Sequence, residues 1–251
     1  MSVSTQQLYD QASDDWQRTE PILLSDFTAR PFLLEWCQPV KGLDVLDLGC
    51  GEGYFARKLK ERGAGRIHGI DVSEEMIRGA QQREQREGLG ITYSAGDASD
   101  LSEIASESRD LCVAVFLFNY IDLNRTRHVM REVHRVLRPG GRFVFAVPHP
   151  SLAFLGEKVA PFYFEPEGKG YFSGRDRQFE GKIWRRDGKS VPVRSVHKTL
   201  EDYMTGLAAA GFERMPKLSE LRATEEHLAL DPEWFGPLRD LPLHLAFQIQ
   251  K

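Results

Sequence analysis

Three glycines separated by single residues follow an aspartate in the stretch VLDLGCGEGYFA, the part of the chain best suited to bind a ligand. They are Gly49, Gly51 and Gly53, and Asp47 precedes them. A backbone without Cβ atoms lets a ligand approach closely. The helix expected after Gly53 adds unpaired N–H groups and a partial positive charge, which suit a carboxylate or a phosphate. Asp47 is predicted to order the loop and to meet an ammonium group, directly or through water.

A second carboxylate, Asp71, ends the next apolar stretch and lies 18 positions after Gly53. At such a position a carboxylate accepts hydrogen bonds from both hydroxyls of an adenosine ribose. Asp71 alone therefore fits a nicotinamide cofactor or S-adenosylmethionine. The loop distinguishes them, because its pattern is D-x-G-x-G-x-G and a dinucleotide loop reads G-x-G-x-x-G. The spacing argues against a nicotinamide dehydrogenase.

Strand-like apolar stretches alternate with helical patterns from Leu43 onward and supply the elements that position these residues. Five strands are predicted in LDVLDLG, RIHGIDV, ITYSA, LCVAVFLF and GRFVFAV. Helices are predicted after Gly53, after Ser73, near Leu101 and over 124–137. Two late strands near 212–221 and 243–249 bring the strand number to seven. This alternation predicts a doubly wound α/β fold with a mostly parallel sheet.

Four motifs resemble, in order, those of class I S-adenosylmethionine-dependent methyltransferases. They are LDLGCGEG, GIDVSEEMI, GDASDL after the third strand, and VLRPGGRFVFAV leading into the fifth. The resemblance extends from about Leu43 to Val147, with a weaker likeness in the C-terminal strands. It implies a Rossmann-like methyltransferase fold and S-adenosylmethionine as the cofactor.

The resemblance also implies roles for individual residues. Asp71 would hold the ribose and Met76 would pack on the adenine. Asp97 with Ala98 would recognise the adenine amino edge, and Phe116 would lie near the methionine portion. Met76, Phe116 and Trp16 also fit ordinary packing, and Asp97 also fits a helix N-cap. The residues expected to bind the cofactor are Tyr9, Trp16, Asp47, Gly49, Cys50, Gly51, Gly53, Asp71, Val72, Met76, Asp97, Ala98 and Phe116.

Two segments outside the alternating pattern are predicted to cover the site of a single domain over 1–251. Residues 1–40 are predicted to form a helical cap, with one helix from Thr5 to Trp16 and another between Pro21 and Pro39. Residues 149–198 break the pattern and hold eight aromatic residues. A turn at Asp187-Gly188 predicts a hairpin there. This insertion after strand five is therefore predicted to be a β-rich substrate cap.

Histidine is the side chain best placed in pKa to remove a proton from a methyl acceptor near neutral pH. His149 directly follows the fifth strand and His197 ends the insertion, so both are predicted to lie where the insertion meets the sheet edge. Substrates bind at that edge in such folds. The catalytic candidates are His149, His197 and the weaker Tyr171; each histidine also fits a structural role beside a turn.

The composition of the chain limits its expected binding partners and its expected cellular compartment. The formal net charge of -4 gives no general attraction to nucleic acid or to an anionic membrane. No apolar stretch approaches the roughly 20 residues of a membrane helix. The cysteines, Cys37, Cys50 and Cys112, show no metal-binding spacing, and no metal site is expected. A reduced, cytoplasmic setting is predicted.

These features predict methyl transfer to an oxygen or nitrogen of a small-molecule acceptor. The fourth strand ends FLFNYI and lacks the Asn-Pro-Pro-aromatic element of many enzymes that methylate nucleic-acid or protein nitrogens. DNA is not expected as a partner, and RNA is disfavoured. The alternatives are a tRNA or protein methyltransferase, or a non-catalytic S-adenosylmethionine sensor whose insertion contacts a protein.

Overall fold

The computed structural model describes residues 16, 18–155, 158 and 160–251. Within this range, seven strands form one sheet in the order β3-β2-β1-β4-β5-β10-β9. The strands are β1 (Val45–Leu48), β2 (Ile67–Asp71), β3 (Ile91–Ala95), β4 (Arg109–Val115), β5 (Leu137–Pro148), β9 (Lys217–Leu221) and β10 (His244–Gln250). Neighbours are parallel except where β10 pairs with β5 and with β9. The predicted seven-stranded, mostly parallel sheet is confirmed.

Helices pack on both faces of the sheet. The described helices are α1 (Leu24–Thr28), α2 (Arg30–Trp36), α3 (Tyr54–Glu61), α4 (Glu74–Glu87), α5 (Leu123–Val136), α6 (Leu152–Leu155), α7 (Leu200–Ala209), α8 (Glu225–Leu230) and α9 (Pro232–Phe235). One core cluster joins α2, α3 and α4 to the sheet, and another joins α5 and α7 to it. The doubly wound architecture follows from these two buried layers.

Several predicted elements differ from the structure near their ends. The single helix expected between Pro21 and Pro39 is two helices, α1 and α2, broken at Ala29. Pro31 lies at the start of α2 and has no N–H to continue the helix from α1. The helix expected near Leu101 is wrong, because that segment forms turns. Asp100 accepts a hydrogen bond there from the backbone N–H of Ser102, a local bond that competes with a helix.

The insertion after β5 forms a separate antiparallel sheet in the order β6-β7-β8. Its strands are β6 (Phe162–Glu165), β7 (Gln178–Trp184) and β8 (Ser190–Val196). Gly188, in the predicted hairpin turn, has φ +86°. The sheet packs through Phe164, Phe179 and Val193, with Trp16 against them. The β-rich insertion is confirmed.

The N-terminal helix predicted from Thr5 lies outside the described residues, apart from Trp16, and so does the candidate Tyr9. Among the residues that the structure describes, no helix has the length and apolar character needed to cross a membrane.

Candidate functional site

A cavity of about 420 Å³ opens at the carboxyl ends of β1, β2 and β4. This volume lies within the range of small-molecule sites. The glycine loop after β1, together with Asp71, Met76 and Asp97, lines the part called here the loop end. The insertion end is lined by Leu23, Leu24, Arg30, Phe116, Phe162, Phe164, Ile183, Val193 and His244.

Most of the residues predicted to bind a cofactor line this one cavity. They are Trp16, Asp47, Gly49, Cys50, Gly51, Asp71, Val72, Met76, Asp97, Ala98 and Phe116. Among the candidates that the structure describes, only Gly53 does not line the cavity. It has φ +81°, and a Cβ there would clash with the ring of Tyr93. Its conformation and packing therefore account for this glycine.

The backbone of the loop turns toward the cavity at Gly51. This residue has φ +54°, and a Cβ added to it would meet no atom within 4 Å. Its N–H donates to Oδ2 of Asp71 at 2.8 Å, while Oδ1 of Asp71 accepts from the N–H of Ser73 at 3.0 Å. Asp71 is thereby fixed across the loop. The carboxylate lines the cavity, where a ligand hydroxyl can donate to it.

Asp97 is held by groups around it on the other side of the loop end. Its Oδ1 accepts from the N–H and the hydroxyl of Ser99 at 2.9 and 2.7 Å. Its Oδ2 accepts from Nη2 of Arg125 at 2.8 Å. Arg125, near the start of α5, also lines the cavity. The pair with Arg125 was not foreseen because 28 residues separate the two in sequence.

Asp47 is buried beneath the glycine loop. Burial, and then the nearby Asp71 carboxylate, raise its pKa to about 8, while Arg30 and the backbone of Ala56 act in the opposite direction. Its Oδ2 has no hydrogen-bond partner among the described residues. A buried acceptor without a donor is costly, so Asp47 is suited to receive a donor from a bound cationic group.

Buried ion pairs tie the segment before α1 to the glycine loop. Arg18 donates to both carboxylate oxygens of Asp26, at 2.9 and 3.1 Å, and to Glu52 at 3.4 Å. Glu52 also pairs with Arg57 at 2.6 Å, and Asp26 with Arg30 at 3.0 Å. No sequence motif marks this network, because its members come from separate segments.

Phe116 follows β4 and has φ +64°. A bulky residue in this region is an uncommon strained position, and such positions cluster at functional sites. The ring lies 5.4 Å from the guanidinium carbon of Arg30 and 5.1 Å from the imidazole of His244, measured to ring centroids. Phe116 therefore lines the cavity in contact with two polar side chains, Arg30 and His244.

The three predicted catalytic residues do not line this cavity. His149 has both ring nitrogens engaged, with Glu220 Oε1 at 3.0 Å and with the N–H of Ser151 at 3.2 Å. His197 packs among aromatic rings with Nε2 2.8 Å from the carbonyl of Tyr171. The Tyr171 hydroxyl accepts from the N–H of Leu200 at 3.0 Å. Their catalytic roles stay predictions that this geometry does not favour.

Lys198 connects the insertion to the segment after β4. Its buried ammonium donates to the carbonyls of Phe118, Ile121 and Val196 at 2.8, 2.6 and 3.2 Å. Burial lowers its pKa to about 8. The lysine holds the 3-10 turn Phe118–Tyr120 against the end of β8. This fixes a turn whose residues Asn119 and Tyr120 line the cavity.

His244 was given no role from sequence, yet it lines the insertion end. It lies at the start of β10, paired with Pro148 at the end of β5. The residue is buried, which lowers the pKa of its imidazole to about 3, with Arg30 and His149 acting in the same direction. Its Nδ1 has no hydrogen-bond partner among the described residues. No spacing in the sequence predicts the antiparallel pairing that brings His244 to the site.

Unpartnered polar atoms concentrate around this cavity. Six buried side-chain nitrogens or oxygens in the described residues lack a hydrogen-bond partner. Three of them belong to cavity-lining residues: Asp47 Oδ2, Asn119 Oδ1 and His244 Nδ1. Buried polar groups are rarely left unpaired in proteins. The cavity is therefore built for a ligand with polar groups along its length.

Comparison with known proteins shows which protein family this chain resembles. A family model described as a methyltransferase domain matches residues 45–141. The chain is 27% identical to an S-adenosylmethionine-dependent methyltransferase from Mesorhizobium loti of known crystal structure. That likeness covers 88% of this chain and 96% of the other, with a TM-score of 0.67. The chain therefore contains a methyltransferase domain over residues 45–141 and resembles S-adenosylmethionine-dependent methyltransferases in sequence and fold, which supports an enzyme of that class.

Two curated relatives extend the comparison. The ubiquinone biosynthesis O-methyltransferase of Pseudomonas syringae is 29% identical over 164 residues, which are 62% of this chain and 69% of that protein. A protein of Haemophilus influenzae is 27% identical over 231 residues, covering 89% of this chain and 86% of that protein.

Proposed function

We propose that this enzyme transfers the methyl group of S-adenosylmethionine to an oxygen or nitrogen of a small molecule enclosed between the glycine loop and the insertion. The observation that carries the proposal is the single cavity that joins a polar loop end to an apolar-walled insertion end. One end suits an adenosine cofactor and the other an organic acceptor. Two ligands in one enclosed space are what a direct group transfer requires.

The loop end fits the cofactor through features of this chain. Asp71 is fixed by Gly51 and lines the cavity, where we assign its carboxylate to accept from ribose hydroxyls. Asp97, Ala98 and Met76 are assigned to the adenine side. The unpartnered Oδ2 of Asp47 is assigned to the cofactor's ammonium group, directly or through water. An ammonium there would favour the ionised form of Asp47 over the protonated one.

When bound, S-adenosylmethionine supplies a methyl group on a positively charged sulfur. The protein's own contribution is to align an acceptor atom with that methyl group and to exclude water. Phe116, Leu117 and Asn119 follow β4 and line the cavity. We assign them to positioning the acceptor against the cofactor.

A small acceptor is favoured over a polymer by the way the cavity is covered. Residues from β6, β7 and β8 line one side, and residues before and within α1 and α2 line another: Trp16, Arg18, Leu23, Leu24, Ser25 and Arg30. The net charge of -4 offers no general attraction to nucleic acid.

We infer one domain over 1–251, with 1–40 and 149–198 as caps. The three free, buried cysteines support a reduced, cytoplasmic setting.

The test is a transfer of label from isotopically labelled S-adenosylmethionine to a cell extract, followed by separation of small molecules, protein and RNA. Label in the small-molecule fraction is expected. Label in protein or RNA would contradict the acceptor class but not the enzyme class. A matched control is the Asp71→Ala variant, which is expected to lower the signal in every fraction at a subsaturating concentration of S-adenosylmethionine.

A further inference from the structure

His244 presents one defined hydrogen-bond acceptor at the insertion end. Its Nε2 lies 3.0 Å from the hydroxyl oxygen of Thr28. That hydroxyl donates its only proton to the carbonyl of Leu24 at 2.9 Å. Thr28 must therefore accept from Nε2–H, which leaves the lone pair of the neutral ring on Nδ1. Nδ1 is buried and has no partner among the described residues.

Arg30 presents the complementary charge beside the same Phe116 ring. Its Nη1 donates to Asp26 Oδ1 at 3.0 Å and to Ser25 Oγ. Within the described residues, its Nε and Nη2 make no hydrogen bond to protein, and the side chain lines the cavity. Two nitrogen donors of the guanidinium are thus available to a ligand.

The local charge balance also favours an anion. Asp26 is shared between Arg18 and Arg30, and Glu52 between Arg18 and Arg57. Three guanidinium groups therefore face two carboxylates. Asp47 also lies near Arg30, but burial raises its pKa to about 8, which favours its neutral form in the ligand-free protein. Before a ligand binds, this network therefore has one guanidinium in excess of its carboxylates.

The walls around these two groups are apolar. Leu23, Leu24, Phe162, Phe164, Ile183 and Val193 line this end. Phe162 also packs against the imidazole of His244, with ring centroids 6.3 Å apart. An acceptor here must be apolar over most of its surface, and its polar groups must meet Arg30 and His244. Leaving either group unmatched would cost affinity.

We propose that the methyl acceptor is a hydroxylated aromatic acid, whose anionic oxygen is bound by Arg30 and whose hydroxyl donates to Nδ1 of His244. The proposal rests on the proposed function, because it assigns the substrate class of the same cavity. Arg30 and His244 act as specificity residues that fix the orientation of the acceptor. Both side chains lie against the Phe116 ring.

Calorimetric titration of the S-adenosylhomocysteine-saturated protein tests the proposal without any turnover. The probes are 2-, 3- and 4-hydroxybenzoate, each compared with its methoxybenzoate and its hydroxybenzamide. At least one hydroxybenzoate is expected to bind roughly 10-fold tighter than both analogues, since each analogue loses one matched polar contact. If S-adenosylhomocysteine binds and no hydroxybenzoate does, the substrate class is wrong and the proposed function stands. If S-adenosylhomocysteine itself fails to bind, both are overturned.

Two variants assign the contacts to residues. His244→Phe should bring the ratio of hydroxy to methoxy affinities to about 1 while preserving the preference for carboxylate over amide. Arg30→Gln should bring the ratio of carboxylate to amide affinities to about 1 while preserving the preference for hydroxyl over methoxy. Thr28→Val is a milder second variant: it removes the partner of Nε2 and should reduce the hydroxyl preference without altering the imidazole. His128→Phe is the matched control, because His128 is exposed on α5 and lies outside the cavity lining. Unchanged ratios in all three test variants would overturn the assignment.

Discussion

The loop end and the insertion end of the cavity are assembled in different ways. The loop end uses backbone and side chains from short, contiguous motifs at the ends of β1, β2 and β3. The insertion end combines α1, α2, the turn after β4, the inserted sheet and the first residue of β10. A binding site built from a short contiguous motif can be predicted from the sequence. A binding site built from distant segments can be seen only in the folded molecule. The two ends should therefore respond differently to substitution.

The substitution Asp47→Asn tests whether a loop-end residue serves ligand binding at the expense of stability. Its expected effect on the free energy of unfolding is the largest of the changes considered. The folded pKa near 8 lies above the usual 3.8. Between these values the folded state holds a proton that the unfolded state has lost, so the free energy of unfolding falls as pH rises. Asparagine removes this penalty. The ligand-free variant should be more stable by up to about 5 kcal/mol at pH 8 and little changed at pH 4.

The same variant should bind S-adenosylhomocysteine more weakly, because asparagine cannot compensate an ammonium charge. Chemical denaturation at the two pH values and calorimetry measure the two effects. A variant that loses both stability and affinity would show that Asp47 has only a structural role.

His244→Gln makes the corresponding test at the insertion end, with opposite pH dependence. The folded pKa near 3 lies below the usual 6.5. As pH falls between these values, the unfolded state takes up a proton that the folded state refuses, so the free energy of unfolding decreases. The wild type should lose about 3 to 5 kcal/mol from this group between pH 6.5 and pH 3. The variant should lack that component, measured as the difference between the two denaturation profiles.

Asp71→Ala tests how far the loop end depends on one carboxylate. Loss of the charged acceptor should weaken S-adenosylhomocysteine binding by about 1 to 3 kcal/mol, or roughly 5- to 150-fold. Asp100→Ala is the matched control, because Asp100 makes the same kind of bond to the backbone two residues on but lies outside the cavity. Equal affinities for the two variants in calorimetry would contradict the assignment of Asp71.

The contrast between the ends also explains what the sequence predicted. The sheet and its parallel strands follow from local apolar periodicity, and the loop residues and Asp71 follow from glycines and carboxylates at strand ends. The resemblance to methyltransferases, and not a local pattern, implied the other cavity-lining candidates, among them Trp16, Met76, Asp97, Ala98 and Phe116. Arg30 and His244 were missed because their roles depend on contacts such as Thr28 to His244, which spans 216 positions. The helices α8 and α9 were missed as well. Asp231-Pro232 is a local start signal for α9, but its four residues show no periodicity.

His149→Gln has the smallest expected effect and addresses the choice of histidine directly. His149 and His244 approach the end of the sheet from neighbouring strands: the N–H of His149 donates to the carbonyl of Leu243 at 2.9 Å. Of the two, only His244 lines the large cavity. The His149 ring binds Glu220 and the Ser151 backbone instead. Loss of an exposed pair of this kind costs about 1 kcal/mol or less. Turnover should therefore change by less than about 2-fold across pH, well below the loss for a catalytic acid or base. A drop of a hundred-fold or more, with S-adenosylhomocysteine affinity intact, would instead make His149 the base, and it would require the mouth of the insertion to rearrange when the acceptor binds.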